Sequence, residues 1–212
     1  MANITRHLDV PIFPLYGTTL FPGQTLTLRL SDSVQQKAAT NCVNVDRRAA
    51  VAMRMRRDGK KFYRAMCVGR ITALRLMNNK EVQIDIVGEC RAWLLHTHDI
   101  SPWLVGKVKV QKPPTRAQRQ KAVRLKREFV GLMDALSKAH PKYKEQLKEV
   151  RSNENFLDMI DLIAASFVPD YARQSILAQT DPVTRVRLVM VQLRKLLSPP
   201  ADETGEHFDP DS

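Results

Sequence analysis

The chain has 212 residues, 43% hydrophobic and 26% charged, proportions that suit a folded protein and exclude wholesale disorder. Its net charge of +12 is uneven: Ser198–Ser212 holds five acids and no Lys or Arg, so that stretch carries −5 and the preceding residues +17, a balance that suits acidic, anionic or nucleic-acid partners. No apolar run approaches the ~18 residues of a membrane span, Met1–Asp9 lacks the apolar centre of a secretory signal, and the odd set Cys42, Cys67 and Cys90 lacks zinc-ligand spacing; the expectation is a soluble, cytoplasmic chain with free thiols and no membrane partner.

The first half reads as strands. Leu26, Leu28 and Leu30 alternate with Thr27 and Arg29, the period of a half-buried strand. A short helix is expected from Asp32 to about Asn41, capped by Asp32 or Ser31. Ala52–Arg57 and Lys61–Ala65 flank Asp58-Gly59, a two-residue hairpin signal. A second hairpin is expected around Asn78-Asn79, between Val68–Met77 and the alternating Val82, Ile84 and Ile86. A last strand is read from Trp103 to Gln111.

After Pro113-Pro114 the period becomes helical. Ala122, Leu125, Phe129, Leu132 and Leu136 form one stripe of a helix expected over Thr115–Ala139. His140-Pro141 breaks it. Asn153 or Ser152 is expected to cap a second helix through Phe167, with Pro169 as its stop. A short helix over about Asp170–Gln179 follows, and Asp181-Pro182 opens a last one. The expected division is a β lobe over 1–112, a helical lobe over 113–198 and a polar, acidic, disordered tail over 199–212.

Familiar catalytic sets are missing. No phosphate-cradling G-x-x-x-x-G-K-[ST], dinucleotide G-x-G-x-x-G or nucleophile elbow occurs. His96 and His98 share a strand face, but two further metal ligands cannot be named. Cys90 reads as a structural thiol ahead of a nucleophile. The expectation is no enzyme, no catalytic residue, no metal and no cofactor.

Pro11-Ile12-Phe13-Pro14-Leu15, followed by Leu20-Phe21-Pro22-Gly23, resembles the opening of the Lon protease N-terminal domain, the LON substrate-binding family. Further segments are similar in the same order: Val68-Gly69-Arg70-Ile71, Val87-Gly88-Glu89-Cys90-Arg91 ahead of Trp93, Pro102-Trp103-Leu104-Val105, Phe156–Ala164, and Gln174–Arg185. The resemblance spans residues 9 to 197. The family's Phe-Glu-Pro-Arg-Tyr after its second strand is replaced by Ser31-Asp32-Ser33-Val34-Gln35. The chain stops at Ser212 without the AAA+ and protease modules, so a stand-alone domain is expected. The resemblance implies an α+β fold, with a PUA-like twisted β-barrel lobe followed by a helical bundle. It implies a non-catalytic polypeptide-binding module, an adaptor or regulator in protein quality control. Its partners would be unfolded or client polypeptides and a protease supplied by another chain. Tyr16, Leu20, Phe21 and Trp103 are the candidate peptide-binding residues, each also readable as core. The alternative is weak RNA or DNA binding through residues 107–127, where nine basic side chains occur with no acid.

Overall fold

Alternation in the first half becomes a sheet, and the 3.6-residue stripes of the second half become a helical lobe. The computed structural model describes residues 6–57, 61–77, 80–100 and 103–198. The Asp58-Gly59 and Asn78-Asn79 turns and the acidic 199–212 segment lie outside the described residues. In chain order the elements are β1 (His7–Leu15), β2 (Thr25–Leu30), α1 (Ser33–Val45), β3 (Arg48–Met53), β4 (Ala65–Leu76), β5 (Val82–Ile100) and β6 (Trp103–Val110). The helices α2 (Arg116–Val123), α3 (Lys126–Ala139), α4 (Lys144–Arg151), α5 (Phe156–Phe167), α6 (Asp170–Ala178) and α7 (Pro182–Leu197) follow.

The strand order corrects the barrel expectation. The six strands form one sheet ordered β2-β5-β4-β3-β1-β6, with an additional β5–β6 pairing. Among the described residues strand β2 pairs only with the first half of β5 and keeps a free edge, so the six strands are not a barrel, in which every edge would be paired. The 19-residue β5 makes this possible. Its first part runs between β2 and β4, it bulges between Leu94 and His96, and its second part turns to β6.

The proline-rich segment is not at the edge of the strand order. Strand β1 lies between β3 and β6, but its halves divide the work: His7–Pro11 pairs with β6 and Ile12–Leu15 runs parallel to β3. One-sided pairing in each half accommodates Pro11 and Pro14, which have no N–H to donate.

Apolar residues sort into three clusters. Phe13, Leu28, Ile84 and Ile86 pack with Ala38, Ala39 and Cys42 of α1 on one face of the sheet. Val10, Ile12, Val68 and Val108 fill a second cluster. The third is the helical core of Phe129, Leu136, Ile160, Ile163, Val186 and Leu193, and it includes Phe21 and Ala65 from the sheet lobe. Each fully buried Phe, Leu or Ile contributes about 1.5–3 kcal/mol of hydrophobic stabilisation, and the shared cluster spends part of that gain on joining the two lobes.

Local signals account for the helix ends. Asp32 accepts from the Val34 and Gln35 N–H groups at 2.7 and 2.9 Å and caps α1. Asn155, rather than Asn153 or Ser152, caps α5. The expected single helix over Thr115–Ala139 is two, α2 and α3, parted by a turn in which the Leu125 N–H bonds the Ala122 carbonyl.

Candidate functional site: the junction of sheet and helices

A carboxylate on an apolar helix stripe must find a partner, because burying it alone costs several kcal/mol. Asp161 follows Leu157 and Ile160 on the buried face of α5 and is 2% exposed. Arg91, projecting from β5, meets it with two hydrogen bonds of 2.7 and 2.5 Å and bonds the Leu177 carbonyl through Nε. Arg185 of α7, also buried, approaches the same carboxylate from the other side, with Nε 3.4 Å from Asp161 Oδ1. Burial lowers the Arg185 pKa, and the charge of Asp161 opposes that shift. Beside this network Gln174 of α6 donates to Thr19 Oγ1 at 3.1 Å. All three charged residues belong to segments that carried the family resemblance, yet none was singled out as a site. The available signal was an acid on an apolar stripe, with an arginine in each of two other matched segments.

Two clefts flank the network. The first, of about 410 Å³, lies between the sheet and α6 and is lined by Met53, Tyr63, Trp93, Tyr171 and Gln174. Its surroundings expose apolar surface: Tyr16 is 56%, Met55 47% and Tyr171 74% exposed. Gly17, at φ 68°, turns the chain after β1 so closely that a Cβ there would stand 3.7 Å from Asp170 Oδ2. Tyr16 and Tyr171 are the chain neighbours of that contact. The Arg54 N–H bonds the Leu15 carbonyl at 2.7 Å, which holds the ends of β1 and β3 together beside them.

The four candidate binding residues therefore separate. Tyr16 stands exposed near the apolar cleft. Leu20 is buried in the core under α1, and Phe21 is buried in the helical core. Trp103 is half-buried against the α1 core, at the start of β6.

The second cleft, of about 480 Å³, opens on the polar side of the junction, where Arg6, Gln111, Arg119, Asp158 and Arg185 converge. Burial, then the nearby charge of Asp161, raises the Asp158 pKa. The basic 107–127 run does not make one stripe. Arg119 lines this cleft, whereas Arg124, Lys126 and Arg127 line a separate groove of about 610 Å³ floored by Val130 and Met159.

The remaining chemical candidates stay apart. His96 and His98 have ring centroids 5.9 Å apart, and among the described residues no set of three His, Cys, Asp or Glu side chains could hold a metal. Burial pushes the Cys42 thiol up to about 12 and raises Cys67 and Cys90 as well, opposite to the depression that activates a thiolate nucleophile. Among the described residues no helix is long and apolar enough to cross a membrane.

Comparison with known proteins agrees with this arrangement. The profile of the ATP-dependent protease La (LON) substrate-binding domain matches residues 9–195. The N-terminal domain of the Mycobacterium avium complex Lon protease superposes with a TM-score of 0.67 at 16% identity, covering 88% of this chain and 98% of that one. The Lon N-terminal domain protein from Xanthomonas campestris gives 0.61 at 18% identity, covering 87% and 98%. No curated protein sequence matches the chain significantly. At these identities the two structures establish the fold. The profile, matching from β1 into α7 and taking in Arg91, Asp161 and Arg185, establishes that the chain belongs to the LON substrate-binding domain family and corresponds to its non-catalytic module.

Proposed function

We propose that the chain binds unfolded or client polypeptides at the apolar cleft between the sheet and α6, as an adaptor or regulator for a protease supplied by another chain. The observation that carries this reading is the cleft lined by Met53, Tyr63, Trp93 and the exposed Tyr171, with the exposed Tyr16 and Met55 following the adjacent ends of β1 and β3. Tyrosine and methionine offer adaptable apolar contact at interfaces. The one-sided strand β2 adds a sheet edge at which an extended segment could pair. In this reading Leu20 and Phe21 support the site from the core, Trp103 lies away from it, and the boundary between the lobes falls near residue 112. A cytoplasmic setting accords with the three free cysteines.

The test is titration of a reduced, unfolded client. Apolar contacts tolerate salt, so binding should persist at ~0.5 M. Tyr16→Ala combined with Tyr171→Ala should weaken it about tenfold while leaving the melting curve unchanged. Absence of binding by the folded chain at every salt concentration refutes the proposal. A second reading, weak nucleic-acid binding, is favoured only by the groove lined by Arg124, Lys126 and Arg127.

A further inference from the structure

The polar cleft is lined by one buried donor without an acceptor, Gln111 Nε2, and by Arg185, whose Nε is ion-paired with Asp161 at 3.4 Å without hydrogen-bond geometry. Gln111 Nε2 and Arg185 Nε are both shielded from solvent, and neither makes a hydrogen bond. Both residues line the same cavity. An unmatched buried donor is unfavourable, so Gln111 Nε2, on a residue that lines the cavity, calls for a ligand, or water, that brings an acceptor. Arg185 is 4% exposed and already stands beside Asp161, so its position is fixed before any ligand arrives.

The charge balance narrows the ligand. Five cationic side chains line the cleft against three carboxylates. Asp161 is engaged by Arg91 and Arg185, and Glu89 by Arg70 and Arg48. Asp158 is the one lining carboxylate outside an ion pair among the described residues, and the charges of Arg119 and Arg185 act on it. Arg6, Lys112 and Arg119 stand around the cleft, and none forms an ion pair among the described residues. The excess of two positive charges suits one or two carboxylates better than a dense polyphosphate. No aromatic ring lines the cleft to stack a base, whereas Pro22, Val110, Pro113 and Leu157 give it an apolar wall.

We propose that this cleft binds a carboxylate of an acidic peptide segment, whose oxygens accept from Gln111 Nε2 and the Arg185 guanidinium and which Lys112, Arg119 and Arg6 attract. The choice of peptide as the carrier rests on the polypeptide-binding reading. The oxyanion chemistry itself is shared with free phosphate. The site is distinct from the apolar cleft beside Tyr171, so one client could use both.

The test uses the full ¹⁵N-labelled chain and three probes. These are an N-acetylated hexapeptide with two aspartates and a free terminus, its C-amidated counterpart with asparagines, and inorganic phosphate. The Gln111 side-chain amide and Arg185 Nε–H resonances report directly. The acidic peptide should shift both, and the neutral peptide should bind about tenfold more weakly. Gln111→Leu and Lys112→Gln should each weaken the acidic peptide about fivefold or more and leave binding of a neutral unfolded client unchanged. Failure of both resonances to respond, or an equal response to the neutral peptide, overturns the inference. Phosphate shifting them at concentrations where the peptide does not overturns the assignment to peptide. Loss of neutral-client binding with the acidic-peptide shifts intact counts against the apolar-cleft reading and supports this one.

Discussion

Arg91 on β5 and Asp161 on α5 join through two hydrogen bonds, with both side chains almost fully shielded from water. The pair therefore ties the sheet to the helical lobe at a point where either charge alone would be untenable. Asp161→Ala leaves Arg91 and Arg185 buried without their counter-ion. It should cost about 3–5 kcal/mol, read as a lower urea midpoint. Asp161→Asn keeps an acceptor and should lose less. Equal stability of the parent and Asp161→Ala would remove the network from the account of the fold.

Gly88 occupies a place where two backbones touch. It exchanges hydrogen bonds with the Gly23–Gln24 turn, and a Cβ on it would lie 2.1 Å from the Phe21 carbonyl oxygen. Gly88→Ala must push Phe21 out of the shared core. A loss of about 1–3 kcal/mol is expected from overpacking, measurable by thermal unfolding. Gly131→Ala is the control, since a Cβ there meets nothing within 4 Å.

Asp181 caps α7, accepting from the Thr184 hydroxyl at 2.7 Å and the Thr184 N–H at 2.9 Å. These bonds hold its carboxyl below the usual carboxylate range. Its ionised contribution is complete above the unfolded pKa of about 3.9 and fades as pH falls through the lower folded value. Asp181→Ala should cost about 1 kcal/mol at neutral pH. The gap to the parent should narrow in urea titrations below about pH 3.

Arg124 and Arg127 decide the nucleic-acid reading. If single-stranded nucleic acid binds their groove, log affinity should fall with log salt by about 0.7 per neutralised phosphate. Replacing both with Gln should then flatten that slope. The expected result is weak binding lost by ~0.2 M salt, with client binding changed by less than about threefold. Anisotropy titrations at four salt concentrations check both. Sequence-selective binding that survives that salt and vanishes in the double variant would reverse the ranking of the two readings.

Short-range patterns were legible where one element carries its own signal. The Leu26–Leu30 alternation, the Asp32 and Asp181 caps and the stripe of α5 all reappear in the structure. Features set by tertiary contact were not. Nothing at Arg124-Leu125 breaks the apolar period, because neither residue is a helix breaker, yet the chain turns there. Helix α4 is mostly charged, and only Leu147 and Val150 mark its buried side. The course of β5 is decided by three different partners rather than by its own residues. The polar cleft draws on Arg6, Gln111, Asp158 and Arg185, which share no local motif. Tyr16 was readable as a candidate contact or as core, and its exposed position beside α6 depends on the turn at Gly17.

The pairing of His7 with Lys109 also constrains how the protein is made. At the usual pace of about 5–20 residues per second, a ribosome needs roughly 5–20 s to extend the chain from β1 to the partner of its first half. During that interval the Ile12–Leu15 half can dock on β3, but the His7–Pro11 half has no sheet to join. Closure of that seam is a late event of synthesis. A nascent chain stalled before β6 emerges should present Leu8 and Val10 to chaperones, and one released after it should not.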